Sequence, residues 1–280
     1  MRGAPAHSPS DRTPPRENER KTFYRAMLEE LDAAGASYLV GGAYALGPYT
    51  GVTRDTKDFD VFVRPADLDR VEGVLAAAGC EIERFAPFWL SKATRGEDFI
   101  DVIHSSGNGI ATVDDEWFEH AAEAVVFGLP VRIVPAEEML WSKAFIMERE
   151  RFDGADVLHI LHECAGRLDW ERVLRRFGDL HWRVLLAHLT LFGFVYPQRR
   201  ASIPDWVMAE LTRRLRREQR QRPSRLPLCR GTLLSRHQYA IDVEAWGYRD
   251  GRLPPDGKMT QEDIDLWERR RREDQESEGD

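Results

Sequence analysis

The chain has 280 residues, of which 42% are hydrophobic and 31% charged, with a formal net charge of -8 at pH 7. This length allows one large domain or two small ones, and the acidic balance gives no overall attraction to nucleic acid or membranes. No run approaches the roughly 20 apolar residues of a membrane-spanning helix, and the first residues lack the apolar centre of a signal peptide. We therefore expect a cytoplasmic protein, and its three scattered cysteines favour reduced thiols over disulfides.

The predicted elements begin after an N-terminal tail, residues 1–20, whose Pro, Arg, Glu and Ser content favours disorder. Apolar residues at helical spacing predict a first helix from about Lys21 to a stop at Ala34-Gly35. The next predicted elements are a strand at 38–40, a helix from Gly41-Gly42, a strand at 59–63, a helix at 66–78, strands at 82–85, 88–91 and 99–104, and a hairpin with strands 125–127 and 131–134.

After residue 135 the pattern changes to almost continuous helix. The predicted helices cover residues 136–151, 154–165, 168–176, 179–193 and 204–218. This change predicts an α+β protein with a mixed-sheet α/β head followed by an α-helical C-terminal domain. We place the head at residues 21–135, the helical domain at 136–272 and an acidic tail at 273–280.

Two aspartates, Asp58 and Asp60, lie at the predicted strand that follows the glycine pair. Residues two apart on a strand face the same side, so both carboxylates would lie on one side and Phe59 and Val61 on the other. Two like charges held this close raise one another's pKa unless a cation lies between them, and Mg²⁺ prefers such hard oxygen ligands. We therefore predict that Asp58 and Asp60 bind Mg²⁺.

The glycine pair, Gly41 and Gly42, stands where an apolar strand passes into a helix. Without side chains, these residues would let backbone N–H groups at the start of the helix approach phosphate oxygens closely. A phosphate-binding turn beside a divalent metal site predicts a bound nucleoside triphosphate.

A third acid, Asp101, interrupts the apolar strand "DFIDVIHS", where Val or Ile would suit a structural role. If this strand pairs with the strand of Asp60, Asp101 reaches the same face as the other two acids. It would then be both a metal ligand and the acidic group near the attacking oxygen in a two-metal transfer. Glu97 and Asp98, at the start of the same strand, are the alternatives.

The stretches "LVGGAYAL", "TRDTKDFDVFV" and "FIDVI" combine hydrophobic-Gly-Gly, Arg-x-Thr-x-Asp-x-Asp and a separate strand aspartate. In this order they resemble the nucleotidyltransferase fold of the DNA polymerase β superfamily. The resemblance implies an enzyme that transfers a nucleoside monophosphate from a triphosphate to a hydroxyl acceptor, with two Mg²⁺ ions and release of pyrophosphate. It also places Arg54 and Thr56 near the nucleotide, although Arg54 has a simpler alternative as an ion-pair partner of Asp55.

A later stretch, "EEMLWSKAFIMERERFDGADVLHIL", resembles a segment of the abortive-infection toxin-type (AbiEii-like) nucleotidyltransferases, which carries a lysine and then an aspartate pair at a helix start. The resemblance implies that Lys143 contacts the triphosphate, that Asp153 or Asp156 organises the site, and that an antitoxin-like protein is a possible partner. The residues alone leave simpler alternatives open: Lys143 would extend from an apolar helix to solvent, and Asp153 would cap the next helix.

The acceptor is not identified by the sequence, and RNA, a small hydroxylated molecule and a protein side chain all stay open. Between Arg213 and Arg230, "RRLRREQRQRPSRLPLCR" holds eight arginines and one acid. This segment is either a solvated helix face or a track for the phosphates of RNA. The alternative to an enzyme is a nucleotide-binding sensor or partner subunit, although keeping three repelling acids together argues for catalysis.

Overall fold

The computed structural model describes residues 15–54 and 56–277. The helices are α1 (Pro15–Ala33), α2 (Gly42–Thr50), α3 (Leu68–Ala77), α4 (Asp115–Glu119), α5 (Ala136–Lys143), α6 (Gly154–Cys164), α7 (Trp170–Val195), α8 (Asp205–Gln219), α9 (Ala240–Glu244) and α10 (Gln261–Ser277). The strands are β1 (Leu39–Val40), β2 (Asp60–Phe62), β3 (Glu81–Ala86), β4 (Leu90–Arg95), β5 (Asp98–Ile103), β6 (Ala122–Val126), β7 (Leu129–Ile133), β8 (Leu228–Cys229) and β9 (Arg249–Asp250). The seven strands β1 to β7 lie in the first half of the chain and the second half is mainly helical, which confirms the predicted α+β class.

Seven strands form one mixed sheet in the order β3-β4-β5-β2-β1-β7-β6. At its centre, β2 runs antiparallel to β1 and parallel to β5, and Asp60 lies directly opposite Asp101. This register confirms that the two strands carrying the predicted acids are neighbours. The two remaining strands, β8 and β9, pair with each other in parallel.

The core lies behind the central strands of the sheet. Phe59, Val61 and Val63 are fully buried. At the alternate positions, Asp58 is exposed and Asp60 is half-buried. This alternation is the period of two that a half-buried strand requires. One continuous hydrophobic cluster joins residues of the sheet to residues of α5 through α8, so the two predicted domains share a core. The boundary near residue 135 stays a prediction.

Both chain ends differ from the sequence prediction. Helix α1 begins at Pro15 rather than Lys21, because Pro suits the first helical position and Lys21 pairs with Glu17 one turn earlier. The rest of the predicted tail, residues 1–14, lies outside the described residues. At the other end α10 extends through Ser277, so the predicted acidic tail is helical as far as this residue, and residues 278–280 are outside the description.

The predicted helix over residues 136–151 is wrong in its second half. Helix α5 ends at Lys143, and an antiparallel bridge pairs Met147 with Phe152 instead. The Met147 N–H donates to the Leu234 carbonyl oxygen at 3.1 Å, so a tertiary hydrogen bond replaces the helical one. Helix propensity is a weak preference that such contacts override.

Two other predicted elements differ in detail from the structure. The predicted strand at 88–91 begins only at Leu90, because residues 87–89 form the turn between β3 and β4. The helices predicted at 168–176 and 179–193 are both present within α7, which kinks at Gly178, a residue with φ 57° and ψ −157°. None of the described helices combines the length and the apolar character needed to cross a membrane.

Candidate active site

Asp58, Asp60 and Asp101 form what we call the acidic face, at the centre of the sheet. The Asp101 N–H donates to the Phe59 carbonyl oxygen at 2.9 Å, which fixes β5 beside the residue between the two other acids. The Gly41 N–H donates to the Asp60 carbonyl oxygen at 2.9 Å, which ties the end of β1 to the same strand. The acidic face therefore lies next to the glycine turn.

The pKa values of the acidic face are shifted by burial and by the like charges of its members. Burial, the charge of Asp101 and, more weakly, that of Asp58 raise the pKa of Asp60 to about 6, against the opposing charges of Arg151 and Lys143. Burial also raises the pKa of Asp101, although the Lys92 ammonium opposes the shift. An additional cation would therefore stabilise the ionised form of both carboxylates.

The acidic face offers the oxygen donors that Mg²⁺ prefers. Within the described parts of the chain, no three His, Cys, Asp or Glu side chains converge closely enough to enclose a metal ion. Mg²⁺ does not need such an enclosure, because it is commonly held by one or two carboxylates together with substrate phosphates and water. The repulsion among these acids and their hard oxygen atoms therefore fit Mg²⁺ bound together with a nucleotide.

The glycine turn consists of Gly41, which precedes α2, and Gly42, the first residue of α2. A Cβ atom on Gly42 would lie 1.9 Å from Oδ2 of Asp60, and Gly42 has a φ of +56°, which favours glycine. A Cβ atom on Gly41 would lie 2.1 Å from the ring of Phe62. At both positions a side chain would collide with residues of β2, because this strand packs directly against the turn.

A group of ion pairs between α5, α6 and the segment after α2 forms the second part of the site. We call it the ion-pair cluster: Lys143, Asp153, Asp156, Arg54 and Arg151. The Lys143 Nζ lies 2.7 Å from Asp153 and 2.9 Å from Asp156, and Arg54 also bonds to Asp156. The side chains of Lys143, Asp153 and Asp156 are only 13%, 10% and 6% exposed.

These contacts decide between several sequence interpretations. Lys143 does not extend to solvent from an apolar helix, since its ammonium is shared by two buried carboxylates. Asp153 does stand at the position before α6, but its side chain makes no capping hydrogen bond and instead contacts Lys143 and Arg151. Burial would raise the pKa of Asp153, and these two cations outweigh that effect and lower it. Asp153 and Asp156 thus both belong to the cluster.

Hydrogen bonds from neighbouring side chains fix the backbone just before Asp58. The Thr56 Oγ1 accepts a hydrogen bond from the Asp58 N–H at 3.1 Å, and the Tyr24 hydroxyl donates to the Lys57 carbonyl oxygen at 2.7 Å. Thr56 is therefore positioned to orient Asp58. Arg54 pairs with Asp156, and its alternative partner, Asp55, lies outside the described residues.

Two cations near the acids were not predicted from the sequence. Lys92 on β4 stands opposite Asp101 in the strand register, and its Nζ lies 3.2 Å from Asp101 Oδ1. Arg151 lies close enough to the acids for its charge to lower the pKa of both Asp60 and Asp101. Pairing β4 with β5 in the correct register would have placed Lys92 beside Asp101. Arg151 was not recognised because it was assigned to the predicted helix over residues 136–151.

The competing acids at the start of β5 have other partners. Glu97 and Asp98 both pair with Arg16 of α1, at 2.9 Å and 3.2 Å. Asp101, opposite Asp60, is therefore the better candidate for the third acid.

The arginines of the segment from Arg213 to Arg230 include both ion-paired and exposed residues. Arg213 and Arg214 bond to Glu210 on the same helix, and Arg230 bonds to Asp256. Arg216, Arg217 and Arg220 are exposed and, with Met208, Ala209, Thr212 and Arg213, line an open groove of about 740 Å³ along α8.

No protein-family model and no curated protein matches this chain. Among solved structures, it is similar to the antibiotic-resistance factor ANT(2'')-Ia, with 17% identity over 65% of this chain and 98% of that one and a TM-score of 0.44. It is also similar to the lincosamide antibiotic adenylyltransferase LnuA, with 17% identity, 51% and 95% coverage and a TM-score of 0.36. A nucleotidyltransferase-like protein from Paracoccidioides brasiliensis gives 14% identity, 66% and 92% coverage and a TM-score of 0.43. At these identities and TM-scores, we draw nothing about activity from the likenesses.

Proposed function

We propose that the protein is a Mg²⁺-dependent nucleotidyltransferase that moves a nucleoside monophosphate from a triphosphate to a hydroxyl acceptor. The observation that carries this proposal is the contact between the glycine turn and the acidic face. A Cβ on Gly42 would lie 1.9 Å from the Asp60 carboxylate, so a helix start suited to phosphate adjoins a carboxylate suited to metal. Triphosphate and metal would meet at this point.

Each part of the site has a role in binding the triphosphate. The backbone N–H groups at the start of α2 bind the β and γ phosphates, because the glycines allow close approach and the helix start favours anions. Lys143 adds a positive charge near these phosphates, and Asp153 and Asp156 hold its ammonium in place. Arg54 connects the segment after α2 to the same cluster through Asp156.

The acidic face carries the chemistry. Asp58 and Asp60, with Asp101, would hold the Mg²⁺ ions, which supply charge stabilisation to the transferring phosphoryl group. Asp101 accepts the proton of the acceptor hydroxyl, and its raised pKa brings it closer to the value that suits a base near neutral pH. The oxygen of the acceptor attacks the α phosphorus, and pyrophosphate leaves from the opposite side.

Transfer of label from the triphosphate tests the proposal directly. The protein is incubated with each of the four α-labelled nucleoside triphosphates and Mg²⁺, with total RNA or with a whole-cell extract as acceptor. We expect a labelled product and released pyrophosphate with at least one triphosphate, and loss of both when EDTA removes the metal. Triphosphate binding without pyrophosphate release under all conditions would instead identify the nucleotide-binding sensor.

A further inference from the structure

The segment after α5 is a fixed hairpin, residues 147–152, rather than a loose loop. Met147 and Phe152 pair across it, and the Asp153 N–H donates to the Ile146 carbonyl oxygen at 3.1 Å. The Glu148 carboxylate accepts the Arg236 N–H at 3.1 Å and also bonds to the Ser235 hydroxyl. The hairpin is therefore anchored both to the start of α6 and to the C-terminal part of the chain.

Arg151 extends from this hairpin between the two parts of the candidate site. Its side chain is 67% exposed, and its Nε and Nη2 lie 3.2 Å and 3.3 Å from the Asp153 carboxylate. Its charge also acts on Asp60 and Asp58. A guanidinium has five N–H donors in a planar fork that matches phosphate oxygens, so Arg151 retains capacity to bind an anion.

Phe152, the next residue of the hairpin, presents an exposed aromatic ring. The ring is 53% exposed although the backbone on both sides is hydrogen-bonded. It lies against Gly154 at the start of α6, where a Cβ atom would be 2.0 Å from the ring Cζ. Glycine at position 154 therefore leaves room for the ring in this position.

We propose that this hairpin is a nucleotide clamp, in which Arg151 binds the triphosphate and Phe152 stacks on the base. This inference rests on the proposed function and assigns two further residues to it. The chemistry fits both ends of the ligand, because an exposed guanidinium binds phosphate and an exposed aromatic ring stacks on any base. Stacking of this kind would not distinguish among the four bases.

Binding of a nucleoside triphosphate and of inorganic tripolyphosphate separates the two roles, because only the triphosphate carries a base. Dissociation constants are measured by calorimetry in Mg²⁺ without acceptor. Arg151→Gln should weaken both ligands by the same factor, about 10-fold or more, as for a lost hydrogen bond to a charged group. The matched control is Arg149→Gln on the same hairpin, an arginine whose side chain is 82% exposed.

Phe152→Ala should weaken triphosphate binding by about 10-fold or more, the range of one aromatic stacking contact, and leave tripolyphosphate binding unchanged. Phe152→Trp should restore triphosphate binding. Phe194→Ala, which removes a ring that is 81% exposed on α7, is the control and should change neither ligand.

The outcomes separate this inference from the proposed function. If the parent protein binds triphosphate and neither variant differs from its control, the clamp is wrong and the nucleotidyltransferase proposal stands. If Phe152→Ala weakens tripolyphosphate as much as triphosphate, the ring supports the hairpin and does not stack on the base. If the parent protein binds no triphosphate in Mg²⁺, both proposals are wrong.

Discussion

The acidic face and the ion-pair cluster, the two parts of the candidate site, differ in how their charges are balanced. The acidic face holds Asp58, Asp60 and Asp101, and its direct ion pair is the contact of Asp101 with Lys92. In the ion-pair cluster, the two aspartates are matched by three cations: Lys143, Arg54 and Arg151.

This difference separates the acids suited to bind metal from the acids that hold neighbouring side chains in place. An acid whose pKa is raised by its neighbours is unstable as an ion until a metal arrives, which suits a binding and catalytic role. Buried acids whose partners are already present instead hold structure, and removing one partner leaves an uncompensated charge. Deleting charge should therefore stabilise the first region and destabilise the second.

The largest effect is expected from Asp60→Asn, which keeps the size of the side chain and removes its charge. Loss of metal-based charge stabilisation, worth several kcal/mol, should lower pyrophosphate release by on the order of 10³-fold or more. The control is Glu97→Gln, because this acid has 83% of its side chain exposed and pairs with Arg16. Full activity in Asp60→Asn would contradict the nucleotidyltransferase proposal.

The same variant tests the charge comparison through pH. The pKa of Asp60 rises from 3.8 to about 6 on folding, so the folded protein holds a proton that the unfolded chain releases between these values. The free energy of unfolding of the parent therefore falls as pH rises through this window, relative to Asp60→Asn. The advantage of the variant should be absent near pH 4 and reach up to about 3 kcal/mol at pH 7, at about 1.4 kcal/mol per pKa unit. Urea denaturation in EDTA measures this difference. Equal stability at pH 7 would mean that burial and the neighbouring acids do not raise the pKa of Asp60.

Asp101→Asn should separate chemistry from binding. Nucleotide affinity should survive because Asp58, Asp60 and the glycine turn are unchanged, while turnover falls by about 10²-fold, the scale of a lost general base. The measurements are the dissociation constant for the triphosphate and the single-turnover rate. If affinity and turnover fall equally, Asp101 is a metal ligand without a role as base.

Lys143→Met should destabilise the protein, opposite in sign to Asp60→Asn. It leaves two carboxylates, 10% and 6% exposed, without the ammonium that they share, and breaking such a buried pair costs about 3–5 kcal/mol. Because Arg54 and Arg151 still contact these acids, we expect a cost of about 3 kcal/mol at pH 7. Lys57→Met, at an exposed lysine near Asp58, is the control for unfolding in urea. An unchanged midpoint for Lys143→Met would show that the cluster does not support the fold.

Gly42→Ala tests whether the glycine turn beside Asp60 binds phosphate. It combines a φ of +56° with a Cβ 1.9 Å from Asp60, so both backbone strain and displacement of the acid should follow. Gly51→Ala isolates the strain, because Gly51 has a φ of +72° and no heavy atom within 4 Å of its Cβ position. We expect both variants to lose about 1 kcal/mol of stability from the strain and only Gly42→Ala to lose triphosphate binding. Equal binding by both would place the phosphates away from this turn.

Much of the head was predictable because its signals are local. The alternation around Phe59 and Val61 set the side of Asp58 and Asp60, and the apolar neighbours of Asp101 marked it as unusual. The strand register confirms the predicted pairing of the strands that carry Asp60 and Asp101.

The ion-pair cluster was less predictable because its partners are distant in sequence. Asp156 pairs with Arg54, 102 residues earlier, and no local pattern records such a contact. The hairpin at residues 147–152 was missed for the same reason. The stretch "MERER" favours a helix by composition, yet its backbone pairs with Leu234, which lies far along the chain.

The smallest expected effect concerns the acceptor and extends the charge comparison to α8. There Arg213 and Arg214 are ion-paired with Glu210, as in the ion-pair cluster, whereas Arg216, Arg217 and Arg220 line an open groove. If this groove carries RNA, replacing the three groove arginines by Gln should weaken RNA binding across sequences. It should also reduce the salt dependence by about one unit for each lost phosphate contact.

The control replaces three exposed arginines whose ion-pair partners lie outside α8, Arg25, Arg175 and Arg199, by Gln. Both triple variants lose the same formal charge, so a change in overall attraction would affect them equally. A loss specific to the groove variant, with transfer to a small acceptor unchanged, would identify α8 as an RNA-binding surface. Equal salt slopes in the two variants would leave α8 as a solvated helix and favour a small-molecule or protein acceptor.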